Sequence, residues 1–221
     1  STLEQTVSGP TNSIATRLST VESDVNTKIV TLVNNSRFEA GSLGWVNGSD
    51  GAYPLSNSST VTFSEGVLKT SSMQWVYGPM LAVDTTRTYR IRIKVRVTAD
   101  GSDINKQMTY AGVATYDKNK VLQNSGVGTH RYCGLSSYKL LASEGWKTAS
   151  GTITGEGDDL HSKFRPGTKY VRPMFIVNYN GGNANYEVAE LALEDVTDMI
   201  SSNAKISNLE QTVGTASSGL V

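Results

Sequence analysis

Hydrophobic and polar residues alternate without a break along residues 88–98, TYRIRIKVRVT. In an extended chain, successive side chains point to opposite sides, so the apolar residues would share one side of a strand. The other side would carry the cations Arg90, Arg92, Lys94 and Arg96. Such a segment is typical of an antiparallel sheet with one side on a core and one in water. The pattern therefore predicts a half-buried antiparallel strand.

Further strand-like segments follow the same rule, and turn-forming strings such as NGSDG, DKNK and NGGN separate them. These segments are residues 60–63, 66–70, 74–83, 107–116, 146–154, 168–179 and 185–196. A chain with about eight or nine strands and no long helical pattern folds as a sandwich or a barrel. We therefore predict an all-β domain over residues 31–198.

Both ends of the chain show a different spacing, the a/d rhythm of a coiled-coil seam. The residues on it are Val7, Ile14, Leu18, Val21, Val25 and Leu32 at the start, and Met199, Ile206, Leu209, Val213, Ala216 and Leu220 at the end. The string LEQTV occurs in both, at 3–7 and 209–213. We predict short coiled-coil helices in residues 1–30 and 199–221; the alternative is a polar linker with accidental spacing.

Helices of two or three heptads are too short to persist alone, so identical chains must bundle or a folded domain must clamp them. The shared string indicates a spacer element reused between folded modules. We therefore interpret the sequence, which begins at Ser1, as a piece of a longer multi-module protein.

Composition excludes several classes of function. Twenty acidic and twenty basic residues cancel, which argues against a general nucleic-acid binder. The single cysteine, Cys133, allows neither an intramolecular disulfide nor a zinc site of several cysteines. No apolar run is long enough to span a membrane, so we expect no membrane insertion.

The segment LVNNSRFEAGSLGWVN at residues 32–47 resembles the opening of carbohydrate-binding modules of the 4/9-like type. Later pieces follow in the order expected for that family: TTRTYRIRIKVRV, YAGVATYDKNK, EGWKTASGTITG, FRPGTKYVRPMFIVNYNG and VAELALEDVTD. With GVATYD, YVRPMF and EDVTD, the chain is similar to a domain of bacteriophage tail fibre and tail-tip (host-specificity) proteins. The resemblance covers about three quarters of the chain.

This resemblance implies a jelly-roll β-sandwich within a homotrimeric, fibre-like protein of the virion, made in the host cytoplasm. Its implied partners are a bacterial surface polysaccharide or lipopolysaccharide and other modules of the same tail protein. We expect a non-enzymatic module that recognises host-surface glycans. The alternative is a structural spacer, trimerisation or decoration module without a ligand, and a glycan-degrading enzyme is a third interpretation.

Catalytic signatures are weak in this sequence. His130 and Cys133 are close in HRYCG, but a nucleophile pair needs a third, orienting group, and none is apparent. Asp158 and Asp159 lie in the turn-like string GEGDDL, which is typical of a solvated loop. There is no Gly-x-Ser-x-Gly, P-loop or dinucleotide motif.

Aromatic residues give the stronger indication, because rings stack on the apolar side of a sugar. Trp75 and Tyr77 are in phase, so both rings lie on one side of their strand. Trp45 and Trp146 match positions that are usually core in the family. The predicted glycan-binding residues are Trp75, Tyr77, Tyr110, Tyr116, Arg172, Asn178, Tyr179 and Asn180. The alternative for each ring is burial, with Trp75 packed between the sheets.

Two charged features have open interpretations. One feature is the basic stripe of Arg90, Arg92, Lys94 and Arg96. It has three interpretations: an exposed sheet face, a contact for an anionic surface, or a partner for acidic residues of a neighbouring chain. The family resemblance also implies a structural calcium between Glu39 and Glu190. However, Ala189 stands where the family commonly has a second acid, and calcium needs six to eight oxygens. No other cofactor is expected.

Overall fold

The computed structural model describes residues 30–48, 53–123 and 130–218, with side chains described as far as residue 208. Residues 31–195 form one compact unit built from two antiparallel sheets. The seven-stranded sheet contains β1 (Val46–Asn47), β2 (Tyr53–Pro54), β5 (Gln74–Tyr77), β6 (Leu81–Ala82), β8 (Met108–Tyr116), β9 (His130–Lys139) and β11 (Tyr170–Tyr179). The five-stranded sheet contains β3 (Val61–Ser64), β4 (Val67–Thr70), β7 (Thr88–Ala99), β10 (Lys147–Thr154) and β12 (Asn185–Asp195).

The strand predicted from the alternation at residues 88–98 is confirmed as β7, which lies between β10 and β12. Its apolar residues Ile91, Ile93 and Val95 are fully buried, while the cations alternate with them on the outer side. The predicted sandwich is likewise confirmed, because the apolar sides of the two sheets enclose one hydrophobic core. Each sheet consequently has an outer face that lies outside this core.

The core between the sheets contains Trp45, the first of the two tryptophans that directly follow a glycine. Trp45 is 1% exposed, and its ring centroid lies 4.8 Å from that of Phe38. Its indole N–H donates to the carbonyl oxygen of Asn35 at 3.1 Å, so the polar atom of the ring is satisfied inside. The second one, Trp146, is 37% exposed, and the expectation that it lies in the core is therefore wrong.

Two parts of the seven-stranded sheet differ from the sequence-based expectation. The segment at residues 74–83 is not one strand, because Gly78 and Pro79 separate β5 from β6, which both pair with β11. Strand β9 was not predicted at all, and its pairing with β8 is irregular on both sides of Ala111. The close approach of the two strands requires a glycine at position 112, where a Cβ would lie 1.8 Å from the carbonyl oxygen of Arg131.

After β12, the described part of the chain continues as the α-helix α1 (Thr197–Ser218). Within α1, Ile206 of the predicted seam is buried, whereas Ile200, which is not on the seam, is 43% exposed. A helix in the C-terminal segment is thus present, but its pairing into a coiled coil stays a prediction. The predicted N-terminal helix, the first LEQTV and Leu220 lie outside the described residues.

Candidate functional site

The outer face of the seven-stranded sheet is lined by aromatic side chains. Trp75 on β5 is the register partner of Ile176 on β11, and Ile176 is in turn the partner of Tyr110 on β8. Register partners in neighbouring strands point to the same side of a sheet. Tyr132 and Tyr179 pack against the same cluster, which is separate from the core between the sheets. We call the half-buried rings of Trp75, Tyr110, Tyr132 and Tyr179 the aromatic face.

The rings of the aromatic face contact one another in a closed circuit that includes His130. Centroid distances are 6.0 Å for Trp75–Tyr179, 5.2 Å for Tyr179–Tyr110 and 4.8 Å for Tyr110–Tyr132. The circuit closes through His130, 5.9 Å from Tyr132 and 5.6 Å from Trp75. The contacts are tilted or edge-on, the arrangements that aromatic pairs prefer. Each ring is thereby held in place before any ligand arrives.

The polar atoms of this cluster are neutral hydroxyl and imidazole groups. Burial, followed by the tyrosines at 110 and 179, raises the pKa of Tyr132 to about 12, so its hydroxyl stays protonated. Burial lowers the pKa of His130 to about 4, with a smaller effect of Arg165, so this imidazole is neutral at pH 7. Its Nε2 lies 2.9 Å from the hydroxyl of Tyr77. The hydroxyls of the half-buried tyrosines can donate and accept hydrogen bonds with sugar hydroxyls, whereas the buried His130 and Tyr77 hold the rings in place.

The predicted ligand residues Trp75, Tyr110 and Tyr179 are brought together on the aromatic face. The alternative in which Trp75 packs between the sheets is wrong, because this ring is only half-buried and lies on the outer side. Tyr77 and Tyr116 belong to the same outer cluster but are 0% and 2% exposed. These two tyrosines support the half-exposed rings rather than offering a surface of their own.

Asn178 does not belong to the site. A register shift between Ile176 and Tyr179 accompanies a positive φ of 53° at Asn178, and this side chain is fully buried. Its amide group donates to the carbonyl oxygen of Ala184 at 2.8 Å and accepts from the N–H of Ala184 at 3.1 Å. Asn178 therefore holds the turn between β11 and β12 together, and the predicted role in sugar binding is wrong. Asn180 lies exposed in that turn.

Arg172 lies at the other end of β11, in regular register with Ala114, so Pro173 introduces no bulge. The side chain is half-buried, and its Nη1 donates to the carbonyl oxygen of Gly78 at 2.8 Å. Met174 and Ile176 continue the same side of the strand toward Trp75 and Tyr110. Arg172 thus shares the outer face with the aromatic residues, and its role in sugar binding stays a prediction.

Sequence reasoning missed Tyr132 and His130 as members of this cluster because it missed β9. The string HRYCGLSSYK has no clean alternation, and the irregular pairing of β9 with β8 sets which side each residue takes. The edge of β9 is also covered by a loop, since the N–H of Tyr132 donates to the carbonyl oxygen of Leu160 at 3.0 Å. The aromatic character of the string was the one available signal.

The suggested Cys133–His130 pair does not form. Cys133 belongs to the core between the sheets, whereas His130 contacts Trp75 and Tyr77 on the outer side. Burial raises the pKa of Cys133 to about 12, so its thiol stays protonated and a poor nucleophile at pH 7. Asp159 of the acidic string GEGDDL has a structural role in its turn. Its Oδ1 accepts hydrogen bonds from the N–H groups of His161 and Ser162 at 2.7 and 3.2 Å.

The outer face of the five-stranded sheet is charged. Arg90 and Arg92 both pair with Glu194, at 2.7 and 2.9 Å, and Arg96 pairs with Glu187 at 2.6 Å. We call the arginines of β7 and the glutamates of β12 that pair with them the charged face. Lys94 and Arg96 also lie over the ring of Trp146, at 5.4 and 4.5 Å from its centroid. Most of the charge of the basic stripe is therefore balanced within the chain.

The predicted calcium residues lie in a groove at the edge of this face. Arg37, Glu39, Glu65, Gly66, Val67, Lys94, Ala189 and Glu190 line its volume of about 490 Å³. The carboxylate of Glu190 accepts two hydrogen bonds from Arg92, at 3.0 and 3.2 Å. Across the described residues, no group of three or more His, Cys, Asp or Glu side chains could hold a metal ion. These residues do not fit the calcium site that the resemblance implied, and we derive no role for a metal.

Comparison with known proteins gives structural neighbours but no family. No protein-family model matches the chain, and no curated protein matches it. Similar structures include a CBM4 carbohydrate-binding module (TM-score 0.45, 11% identity, covering 74% of this chain and 99% of that one). The CBM22-1 xylan-binding domain of Paenibacillus barcinonensis Xyn10C has a TM-score of 0.37 at 14% identity, covering 70% of this chain and 86% of that one.

An enzyme is also among the similar structures. The Stig cyclase Fisc from Fischerella sp. TAU has a TM-score of 0.40 at 12% identity, covering 76% of this chain and 98% of that one. All three TM-scores lie below 0.5, so we base the function on this chain's own residues. Among the residues that the structure describes, no helix is long and apolar enough to cross a membrane.

Proposed function

We propose that this domain is a non-catalytic glycan-binding module whose ligand lies on the aromatic face. The observation that carries the proposal is the cluster of half-buried rings held by tilted and edge-on contacts on the outside of a sheet. A sugar ring that stacks on such a surface removes two apolar surfaces from water, and the rigid side chains lose little conformational freedom. The hydroxyls of the same tyrosines then bond the sugar hydroxyls that flank the stacked face.

The hydrogen-bonding groups around the rings suit a sugar better than a purely apolar ligand. The hydroxyl of Tyr110 is bonded to Ser137 at 2.7 Å in an exposed position, so a second hydroxyl can join this pair. Tyr132 adds a phenol whose pKa is raised to about 12, so this hydroxyl is protonated at neutral pH. A ligand with apolar C–H surfaces and many hydroxyl groups satisfies both kinds of contact.

A glycan array probed with the labelled full chain tests this function directly. We expect binding to at least one polysaccharide, and competition by the corresponding soluble oligosaccharide. Absence of binding to every glycan and to whole bacterial cells would contradict the proposal. That outcome would favour the interpretation as a spacer or decoration module without a ligand.

We further propose that the module belongs to a phage tail fibre or tail tip, where it contributes to host adsorption. The support is the sequence resemblance described above together with the helix that follows the sandwich. In this setting three chains share one axis, and several weak sugar sites on one particle gain avidity. Other modules of the same protein and the bacterial surface polysaccharide or lipopolysaccharide are the proposed partners.

The proposed homotrimer has a simple test. Light scattering of the full chain should give about three times the chain mass of 23.7 kDa. Removal of residues 199–221 should shift the mass toward the monomer, because the predicted seam is lost. A monomeric full chain at high concentration would contradict the trimer without affecting the glycan site.

A further inference from the structure

Arg172 differs from the arginines of the charged face in its partners. Arg90, Arg92 and Arg96 each contact a glutamate of β12. Arg172 donates to the carbonyl oxygen of Gly78. Within the described parts of the chain no carboxylate pairs with its guanidinium, and its Nε–H is buried without an acceptor. The positive charge of Arg172 is therefore not balanced by an acid that contacts it within the described residues.

The contact with Gly78 fixes the guanidinium but uses only part of its capacity. A guanidinium has five N–H donors in a planar fork, and two of them match the two oxygens of a carboxylate or phosphate. The half-buried position lowers the surrounding dielectric, which strengthens an ionic contact compared with one in open water. The side chain is thus prepared for an anion that arrives from solution.

The position of Arg172 relates it to the aromatic face. Ile176, the register partner of both Trp75 and Tyr110, is four residues further along β11. At a rise of about 3.3 Å per residue, the two positions are roughly 13 Å apart along the sheet. An extended oligosaccharide of a few residues covers this span. One ligand can therefore stack on the rings and reach Arg172 with a substituent.

We propose that the ligand is an anionic glycan whose carboxylate or phosphate substituent binds Arg172 while a neighbouring sugar stacks on the aromatic face. This inference rests on the proposed function, since it assigns the chemical class of the ligand of that site. Both substituents present oxygens in a geometry that a guanidinium binds with two hydrogen bonds.

The test is an array that carries neutral, uronic-acid-containing and phosphorylated polysaccharides. Each anionic polysaccharide is also present in a carboxyl-reduced or dephosphorylated form. We expect the hits to be anionic and removal of their anion to weaken binding about tenfold or more. Binding of the intact glycan should also weaken between 0.05 and 0.5 M NaCl, roughly the range over which screening becomes strong. Loss of binding after carboxyl reduction identifies the carboxylate as the recognised group, and loss after dephosphorylation identifies the phosphate.

Variants connect this preference to one residue. Arg172→Gln should bind the intact and the anion-free glycan equally, and Arg172→Lys should retain part of the preference because it keeps the charge. Arg37→Gln is the matched control, since Arg37 is an exposed cation in the groove beside the charged face. This control should keep the full preference. Thermal melts of all variants show that they fold.

The outcomes separate the two proposals. Hits that are neutral, or that survive removal of the anion unchanged, would overturn the anionic ligand but retain the glycan-binding function. A preference that persists in Arg172→Gln would assign the anion to another residue and overturn the role of Arg172. No binding by the wild-type chain would overturn the glycan-binding function and this inference with it.

Discussion

The two outer faces of the sandwich are built by the same alternation but are used differently. On the charged face, arginines of β7 pair with glutamates of β12, and Glu194 is only 4% exposed. On the other sheet, the half-buried rings of the aromatic face contact one another, and Arg172 on the same outer side has no acidic partner among the described residues. A polar outer side of a strand is thus not by itself a binding surface. The difference is whether its groups are already satisfied within the chain.

This difference has an energetic basis. A buried carboxylate that pairs with two arginines has little to gain from a new partner, and removal of one member leaves a charge without compensation. Clustered aromatic rings that remain partly exposed to water can still contribute to binding. A ligand that covers them removes the remaining apolar surface from water, which is favourable in free energy. We therefore assign stability to the charged face and binding to the aromatic face.

The largest expected effect is a loss of stability caused by a substitution on the charged face. Glu194→Ala removes the carboxylate shared by Arg90 and Arg92; Arg92 keeps its contact with Glu190, but the half-buried Arg90 loses its acidic partner. We expect the free energy of unfolding to fall by about 3 kcal/mol in urea titrations, without a change in glycan affinity. Glu39→Ala, an exposed acid near the same face, is the control and should be close to neutral. Loss of affinity in folded Glu194→Ala would contradict the division of roles.

The next effect is a pH dependence that comes from His130, beside the aromatic face. His130 is neutral in the folded protein, with a pKa of about 4, and returns to about 6.5 on unfolding. The unfolded chain therefore binds more protons between these values, and stability falls as pH is lowered through this window. We expect a loss of about 2 kcal/mol between pH 7.5 and 4.5, measured by chemical unfolding at each pH.

Two variants isolate this pH dependence. His130→Gln should remove most of the slope between pH 6.5 and about pH 5, above the range in which carboxylates titrate, while keeping a polar group beside Tyr77. His161→Gln, which changes the only other histidine, should leave the slope intact. If both variants retain it, another group causes the acid sensitivity.

Tryptophan substitutions compare the two faces directly, since each carries one partly exposed indole. Trp75→Ala removes a ring of the aromatic face, and we expect glycan affinity to fall at least about tenfold in calorimetric titrations, together with a modest loss of stability. Trp146→Ala removes the ring beneath Arg96 on the other sheet and should leave the affinity unchanged. Equal losses of affinity in both variants would show that the sugar site is not confined to the aromatic face.

The smallest effect concerns the support beneath the rings. Tyr77→Phe removes the hydroxyl that bonds His130 Nε2 at 2.9 Å in a buried position. We expect a loss of about 1 kcal/mol in the free energy of unfolding, because the imidazole nitrogen loses its partner. Affinity should change less than in Trp75→Ala, since the ring at position 77 remains. An affinity loss as large as that of Trp75→Ala would show that this hydroxyl contacts the ligand.

The sequence alone predicted much of this architecture and part of the site. The alternation at residues 88–98 identified β7, and the phase of Trp75 and Tyr77 placed both on one side of β5. Strand β9 could not be predicted, because its pairing is irregular and its string has no clean period. Asn178 could not be excluded from the site either, since only the bulge turns its side chain inward.

What the sequence by itself determined is therefore local: which residues are extended, and which side chains of one strand point the same way. This holds because the period of a strand is a property of its own backbone. The tertiary structure alone decided that Trp75, Ile176 and Tyr110 lie side by side and that His130 closes the ring of contacts. It also decided that the arginines of β7 meet glutamates about a hundred positions later, for example Arg90 and Glu194. Such neighbours depend on strand order, register and bulges, which are set by packing between distant segments.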